Sequence, residues 1–258
     1  MKTIELFQPL PARPGRIFRA LSDARDLAAW QADAVRGAVA RGRTVELSWP
    51  KLGIRLELEV REVVADRKVV FGHGSARLEL EVANGGVWLR HTAPFDEDTL
   101  EGTASSWRIA LSTLSVYLSR HAGAARRVHW AAVRARGSAA LCHAYFTERE
   151  LLSTWLGTVN GSLGTVDTPV ALSLASGRRA SGPVLANTPG RDIAIRWREA
   201  DDSVLALRTL PVMSDPEARY VLLSWSHWSD LPDGHAIRRE LDRAIELLGR
   251  KLKSHGSA

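Results

Sequence analysis

One cysteine, Cys142, stands in 258 residues. A lone thiol excludes an internal disulfide and a cysteine-rich metal site. No apolar run approaches the ~18 residues of a membrane-spanning helix. The opening stretch MKTIELFQPL carries neither the apolar core nor the small-residue cleavage site of a secretory leader, so a cytoplasmic setting is expected. The eight histidines show no HxxxH, HxH or HExxH spacing, and there is no Gly-rich phosphate loop and no Gly-x-Ser-x-Gly elbow. Neither a metal nor a cofactor is expected, and no catalytic constellation stands out.

Lysine is scarce too. Lys2, Lys51, Lys68, Lys251 and Lys253 are the only five, so 30 of the 35 basic residues are arginine. The net charge of +6 divides evenly: 19 basic and 15 acidic residues up to Arg127, then 16 and 14. Nucleic-acid binders gather their charge on one face. This thin spread predicts no nucleic-acid partner.

What the chain does have is a repeat. Pro14 to Trp30, PGRIFRALSDARDLAAW, returns 125 positions later as Ser138 to Trp155, SAALCHAYFTERELLSTW. Leu21, Leu27 and Trp30 fall on Phe146, Leu152 and Trp155, and Ile17 falls on Cys142, which reads as a small buried hydrophobe. Arg67-Lys68-Val69-Val70-Phe71 matches Arg191-Asp192-Ile193-Ala194-Ile195, and Phe95 is matched to Trp228. A pattern repeated over this length means two domains of one design, 1–122 and 126–258. The connector between them is short, so the two domains are expected to pack on each other.

Within the first copy, Thr3 to Leu10 alternates and reads as a strand. Pro14 suits the first turn of a helix carrying Ile17, Phe18 and Leu21. Ser22 and Asp23 offer caps for a second helix with Leu27 and Trp30. A run of strands follows, at Val35–Ala40, Arg43–Trp49, Ile54–Val63, Val69–Phe71, Arg77–Val82 and Val87–Pro94. Leu56, Leu58 and Val60 alternate with Glu57, Glu59 and Arg61, giving one dry and one wet face. Gly72-His73-Gly74 reads as a turn, and Asn84–Gly85 as a tight hairpin. Leu100 to Arg120 has helical period, with Trp107, Leu111, Leu114 and Leu118 on one stripe. In the second copy, strands are expected at Val128–Arg134, Val170–Leu174, Gly182–Ala186, Ile193–Trp197, Val204–Leu210 and Arg219–Trp228. Thr147 to Glu150 fits a capping box, and Pro232–Lys253 is the closing helix.

This element order, with Leu21-Ser-Asp-Ala-Arg-Asp-Leu-Ala-Ala-Trp30, Val87-Trp-Leu-Arg-His-Thr-Ala-Pro-Phe95 and Trp107 opening the last helix, resembles the START-like (SRPBCC) helix-grip superfamily. Its second statement lies in Phe146 to Trp155, Ile195-Arg-Trp-Arg198 and Leu222 to Trp228. The likeness is greatest to the bacterial branch similar to the activators of the heat-shock protein 90 ATPase. The resemblance implies an α+β chain of two tandem helix-grip domains. Each would be a curved antiparallel sheet of about six to seven strands with two short helices and one long C-terminal helix, and a cavity between sheet and helix. Leu56, Leu58, Leu78, Leu80, Leu89, His91, Trp107, Leu111 and Leu114 would line it in copy one, and Ile195, Leu222, Ile237 and Leu241 in copy two. Divergence between the copies suggests that one keeps a ligand site while the other serves as scaffold.

Three functions follow from the resemblance. The first is binding of a hydrophobic or aromatic small molecule in that cavity. The second is a chaperone-associated interaction with another protein. The third is a tandem polyketide aromatase/cyclase-like enzyme, with His91 or His227 as the acid–base group. His91 shares a strand face with Val87 and Leu89, and an inward imidazole can orient a ligand or move a proton near neutral pH. Trp30, Trp107 and Trp155 read as core, and Trp49, Trp88, Trp130 and Trp197 as interface.

Overall fold

The computed structural model describes residues 1–83, 85–212 and 214–255; the side chains of Pro216 and His255 lie outside that description. The chain divides into two compact units, Met1–Arg127 and Val128–Ala258.

In unit 1, β1 (Lys2–Pro9) is followed by α1 (Pro14–Ser22) and α2 (Ala24–Ala28). Pro14 occupies the first helical turn. The cap of α2 is Asp23, whose carboxylate accepts from the N–H groups of Arg25 and Asp26, while Ser22 donates to Phe18 O. Then come β2 (Ala34–Gly37), β3 (Thr44–Trp49), β4 (Ile54–Val64), β5 (Lys68–His73), β6 (Ala76–Ala83) and β7 (Gly86–Ala93). The long helix α3 runs from Glu97 to Val116, with Asp96 capping Thr99 N–H. Its last turn, Tyr117–His121, widens into a π-helical turn.

The seven strands form one sheet in the order β1-β7-β6-β5-β4-β3-β2, and the pairings are antiparallel. The two ends of the sheet in space are thus the first two strands in sequence, and the helix pair spans between them. Each strand presents alternate side chains to one face, so Val60, Val69, Phe71, Leu78, Leu80, Val87 and Leu89 are buried. α1 packs against β5, β6 and β7, and α3 against β1.

Unit 2 repeats the plan. β8 (Arg127–Arg136), α4 (Ala139–Thr147), α5 (Arg149–Ser153), β9 (Gly157–Asn160), β10 (Pro169–Leu174), β11 (Arg179–Thr188), β12 (Asp192–Trp197), β13 (Ser203–Val212) and β14 (Asp215–His227) precede α6 (Gly234–His255). The sheet order is β8-β14-β13-β12-β11-β10-β9. Local devices repeat with it. Trp30 Nε1–H donates to Ala20 O at 2.9 Å, and Trp155 Nε1–H donates to Tyr145 O at 2.9 Å. The register slips between Val60 and Glu62 in one sheet and between Val184 and Ala186 in the other. A bulge at the same place bends both strands the same way.

The structure departs from the sequence reading at several points. Gly72 and His73 belong to β5, and the turn is made by Gly74 at φ +55°. Strand β9 is short and carries one buried hydrophobe, Val159, too little for a period to register. Thr147 does not head a capping box: its hydroxyl donates back to His143 O, and Glu148 takes the cap position without a side-chain bond. Trp197 is fully buried in the core of unit 2 and is not a surface residue. In the Asn84–Gly85 hairpin, Gly85 adopts φ +78°, whereas Asn84 lies outside the described residues.

Candidate functional site

Unit 1 is hollow. A cavity opens between the dry face of the sheet and the first half of α3, and the space open to the centre of a water-sized sphere is about 140 Å³. Leu27, Trp30 and Gln31 wall it on the α2 side, Val45, Leu47, Leu56 and Leu58 on β3 and β4, and Phe71, Gly72 and His73 on β5. Ala76, Leu78 and Leu80 on β6, His91 on β7 and Trp107 on α3 complete it. No Asp, Glu, Lys or Arg is among these residues.

The polar side chains in its wall are His91, His73 and Gln31, beside the indoles of Trp30 and Trp107. Trp107 Nε1–H donates to His91 Nδ1 at 3.1 Å. An indole can only donate, so Nδ1 is the bare nitrogen and the neutral imidazole carries its hydrogen on Nε2. The ring is held edge-on by Phe95, at 5.1 Å between centroids, and by Trp107, at 6.1 Å. Burial lowers the His91 pKa below the ordinary imidazole value, because a charge there would lose its hydration. His73, exposed at the rim, contacts Glu57 O through Nδ1 at 2.8 Å. A carbonyl only accepts, so this nitrogen bears hydrogen. Gln31 Oε1 is buried and makes no hydrogen bond among the described residues.

The depressed pKa of His91 has a testable sign. Below about pH 6.5 the unfolded chain takes up the proton that the folded chain refuses. Stability is present above that pH and is lost as pH falls toward the lower folded value. The expected slope contributed by one such group reaches at most about 1.4 kcal/mol per pH unit. Urea midpoints measured from pH 7.5 to 5 should fall more steeply for the natural chain than for His91→Phe. Parallel lines for the two would show that the imidazole is not buried uncharged.

Of the expected lining residues, Leu56, Leu58, Leu78, Leu80, His91 and Trp107 face this cavity. Leu89, Leu111 and Leu114 lie deeper, fully buried away from it. In unit 2, Ile237 and Leu241 belong to the packed core, and Ile195 borders a remnant void of about 10 Å³. Leu222 is on the other sheet face: Val221, Leu223 and Trp225 join the core cluster and it does not, because neighbouring residues in a strand point to opposite sides. His227 stacks on Trp225 at 4.4 Å and contacts Ser229 O through Nδ1 at 2.9 Å; it borders neither the cavity of unit 1 nor this void. Sequence reasoning passed over His73 and Gln31. The alternation Val69, Phe71, His73 was the available signal for the first, masked by its two flanking glycines. Gln31 follows the last turn of α2 and carries no periodic mark.

The ladders show why the second unit is filled. Leu80 pairs with Leu89 and Leu78 with His91, as Leu207 pairs with Leu223 and Leu205 with Trp225. Phe71 pairs with Leu78 and His73 with Ala76, as Ile195 pairs with Leu205 and Trp197 with Ser203. Trp225 therefore stands where His91 stands, and Trp197 where His73 stands. This register also moves the match of Phe95 from Trp228 to Ser229. The same reading sets Ala180 and Gly182 at the places of Leu56 and Leu58. Small residues on β11 make room for two indoles on β12 and β14, whose centroids are 6.0 Å apart. Both indoles are anchored, Trp225 Nε1–H on Ser203 Oγ and Trp197 Nε1–H on Arg179 O, each at 2.9 Å. A surface groove of about 430 Å³ also lies on unit 2, where Arg178 in its wall is paired with Asp233 and Glu240.

No family model matches the chain, and no curated protein matches it. Among solved structures, the di-domain ARO/CYC StfQ from the steffimycin biosynthetic pathway is 9% identical, with all of both chains covered and a TM-score of 0.47. DynU16, a putative protein in the dynemicin biosynthetic locus, is 15% identical over 98% of this chain and 99% of its own, at 0.43. Aha1 from Colwellia psychrerythraea is 18% identical over 46% of this chain and 96% of its own, at 0.41. At these identities and scores the likenesses carry no argument about activity. The strand order, the paired short helices and the long closing helix stand on the chain's own coordinates, and they make it two helix-grip domains in tandem, the first hollow and the second filled.

Proposed function

We propose that this protein is a binding module, and that unit 1 holds a hydrophobic or aromatic small molecule in the cavity between its sheet and α3. The observation that carries the reading is the contrast within one chain. One fold is written twice, and at equivalent positions one copy leaves about 140 Å³ open while the other leaves about 10 Å³. Folded interiors pack to crystal-like density, so an open, apolar space costs stability that packing would otherwise return. Unit 2 shows that this design can close the space with two tryptophans. Ligand sites are concave, mainly apolar and equipped with few polar anchors, which is the composition found here. Unit 2 then acts as the scaffold copy.

The test uses toluene and indole on the full chain. Trp30 and Trp107 line the cavity, so binding is expected to change their emission and to raise the melting temperature. Leu56→Trp adds bulk to the cavity wall and is expected to abolish both effects while leaving the far-ultraviolet spectrum unchanged. No response to either ligand in the natural chain would sink the reading.

A further inference from the structure

We infer that the surface groove of unit 2 is a second binding site, and that it takes a singly charged aromatic carboxylate. The inference goes beyond the cavity reading and stands apart from it. The interior of unit 2 is filled, and this groove lies outside that interior, between α6 and the turn that joins β10 to β11.

The groove offers about 430 Å³, and Trp155, Leu156, Ala236, Ala244 and Leu247 supply its apolar lining. A space of about 150 Å³ accommodates benzene, so a body of two fused rings has room here. The charged lining is unevenly matched. Ser176 N–H donates to Glu240 Oε1 at 3.0 Å. Arg178 donates to Asp233 at 3.0 Å and lies 3.7 Å from Glu240. These groups satisfy one another. Arg239 and Arg243 also line the groove, exposed on α6, and neither has a hydrogen-bond or ion-pair partner among the described residues. One helical turn sets them side by side, and like charges at that spacing repel. Three guanidiniums thus meet two carboxylates, Glu240 and Asp233, which leaves one positive charge in excess. A single carboxylate closes that balance. The planar guanidinium matches a carboxylate with two parallel hydrogen bonds and stacks on aromatic rings, so one arginine holds the head group and its neighbour covers the ring. The repeat shows that the fold does not require these cations. At the offset that sets Leu241 at the place of Trp107, Arg239 and Arg243 fall on Ser105 and Ile109.

Titration calorimetry on the full chain at pH 7.5 with 2-naphthoate, 2-naphthol and 2-naphthylmethylammonium tests this, because the three share the fused rings and differ in the head group. Two fused rings exceed the cavity of unit 1, which at about 140 Å³ is the size for one. Naphthoate is expected to bind at least tenfold more tightly than naphthol, and the ammonium to give no binding. Arg239→Gln with Arg243→Gln is expected to weaken naphthoate at least tenfold. Without ligand, the double variant is expected to melt at or above the natural temperature, since it removes a like-charge contact. Arg250→Gln, on an exposed arginine of the same helix outside the groove, is expected to leave the affinity unchanged. No binding of naphthoate, equal affinity for naphthoate and either companion, unchanged binding in the double variant or an equal loss in Arg250→Gln overturns the inference. Each of these leaves the cavity of unit 1 to be judged by the toluene and indole titrations.

Discussion

Trp225→Ala is expected to cost unit 2 about 3–5 kcal/mol, the range for emptying a buried aromatic site. Trp225 is fully buried, leans on Trp197 and stacks on His227. Truncation removes those contacts and also takes the indole N–H away from Ser203, itself fully buried. The site cannot close easily, because Ala180 and Gly182 opposite are already small and a β-carbon on Gly182 would fall 2.2 Å from Arg196 O. Guanidinium unfolding of the full chain, followed by near-ultraviolet circular dichroism, should show one transition moved to lower denaturant and the other unmoved. A loss below about 1 kcal/mol, the size of an average substitution, would mean that the tryptophans do not fill a rigid interior. A sharper version exchanges bulk between helix and strand. The stripes of α3 and α6 run in parallel at the offset that relates His91 to Trp225, so Leu241 stands where Trp107 does. Trp225→His with Leu241→Trp rebuilds the unit 1 pair in unit 2. The double variant is expected to be more stable than Trp225→His alone, and a thermal-shift comparison of the three chains measures the coupling.

Asp26→Ala is expected to cost unit 1 about 3 kcal/mol, the low end of what removing one partner of a buried ion pair costs. The Asp26 side chain is 6% exposed. Arg16 grips it with both terminal guanidinium nitrogens, at 2.7 and 3.2 Å, and the Tyr117 hydroxyl donates to Oδ1. Arg16 also donates to Tyr117 Oη at 3.0 Å, and Gly123 N–H does so at 2.9 Å. One carboxylate thus ties α1, α2 and the π-helical turn after α3. Without it, the partly buried Arg16 guanidinium loses its counterion and keeps only its bond to Tyr117 Oη, and the Tyr117 hydroxyl loses the carboxylate it donates to; burial together with Asp26 already holds the Tyr117 pKa above its ordinary value. The repeat supplies the control. At the offset of 125, Arg16 and Asp26 become Leu141 and Leu151, both packed on the core of unit 2. Exchanging an ion pair for well-packed apolar residues is often neutral, so Arg16→Leu with Asp26→Leu is expected to recover most of the loss. Chemical denaturation of the single and double variants decides this. A single variant as stable as the natural chain would show that the network is ornamental.

The sequence by itself determined the design: two copies, their helix pairs, the dry faces of their strands and the stripes of their closing helices. These are local regularities. Leu56, Leu58 and Val60 declare a one-sided strand whatever they meet, and Trp30 and Trp155 announce the same helix end by the same spacing. What only the tertiary structure decided is which copy is hollow. That depends on volumes summed across strands far apart in the chain. Leu56 and Leu58 are exchanged for Ala180 and Gly182, His73 for Trp197 and His91 for Trp225, and each exchange taken alone looks like ordinary drift. Register turns them into a single decision, because cross-strand pairing places all of them around one space. A slip of one residue, as in matching Phe95 to Trp228, hides it, since adjacent residues in a strand face opposite sides. The polar anchors were hidden for the same reason. Gln31 carries no periodic signal and the alternation that ends in His73 is masked by its flanking glycines, so both acquire meaning only where the sheet and α2 come together around the cavity.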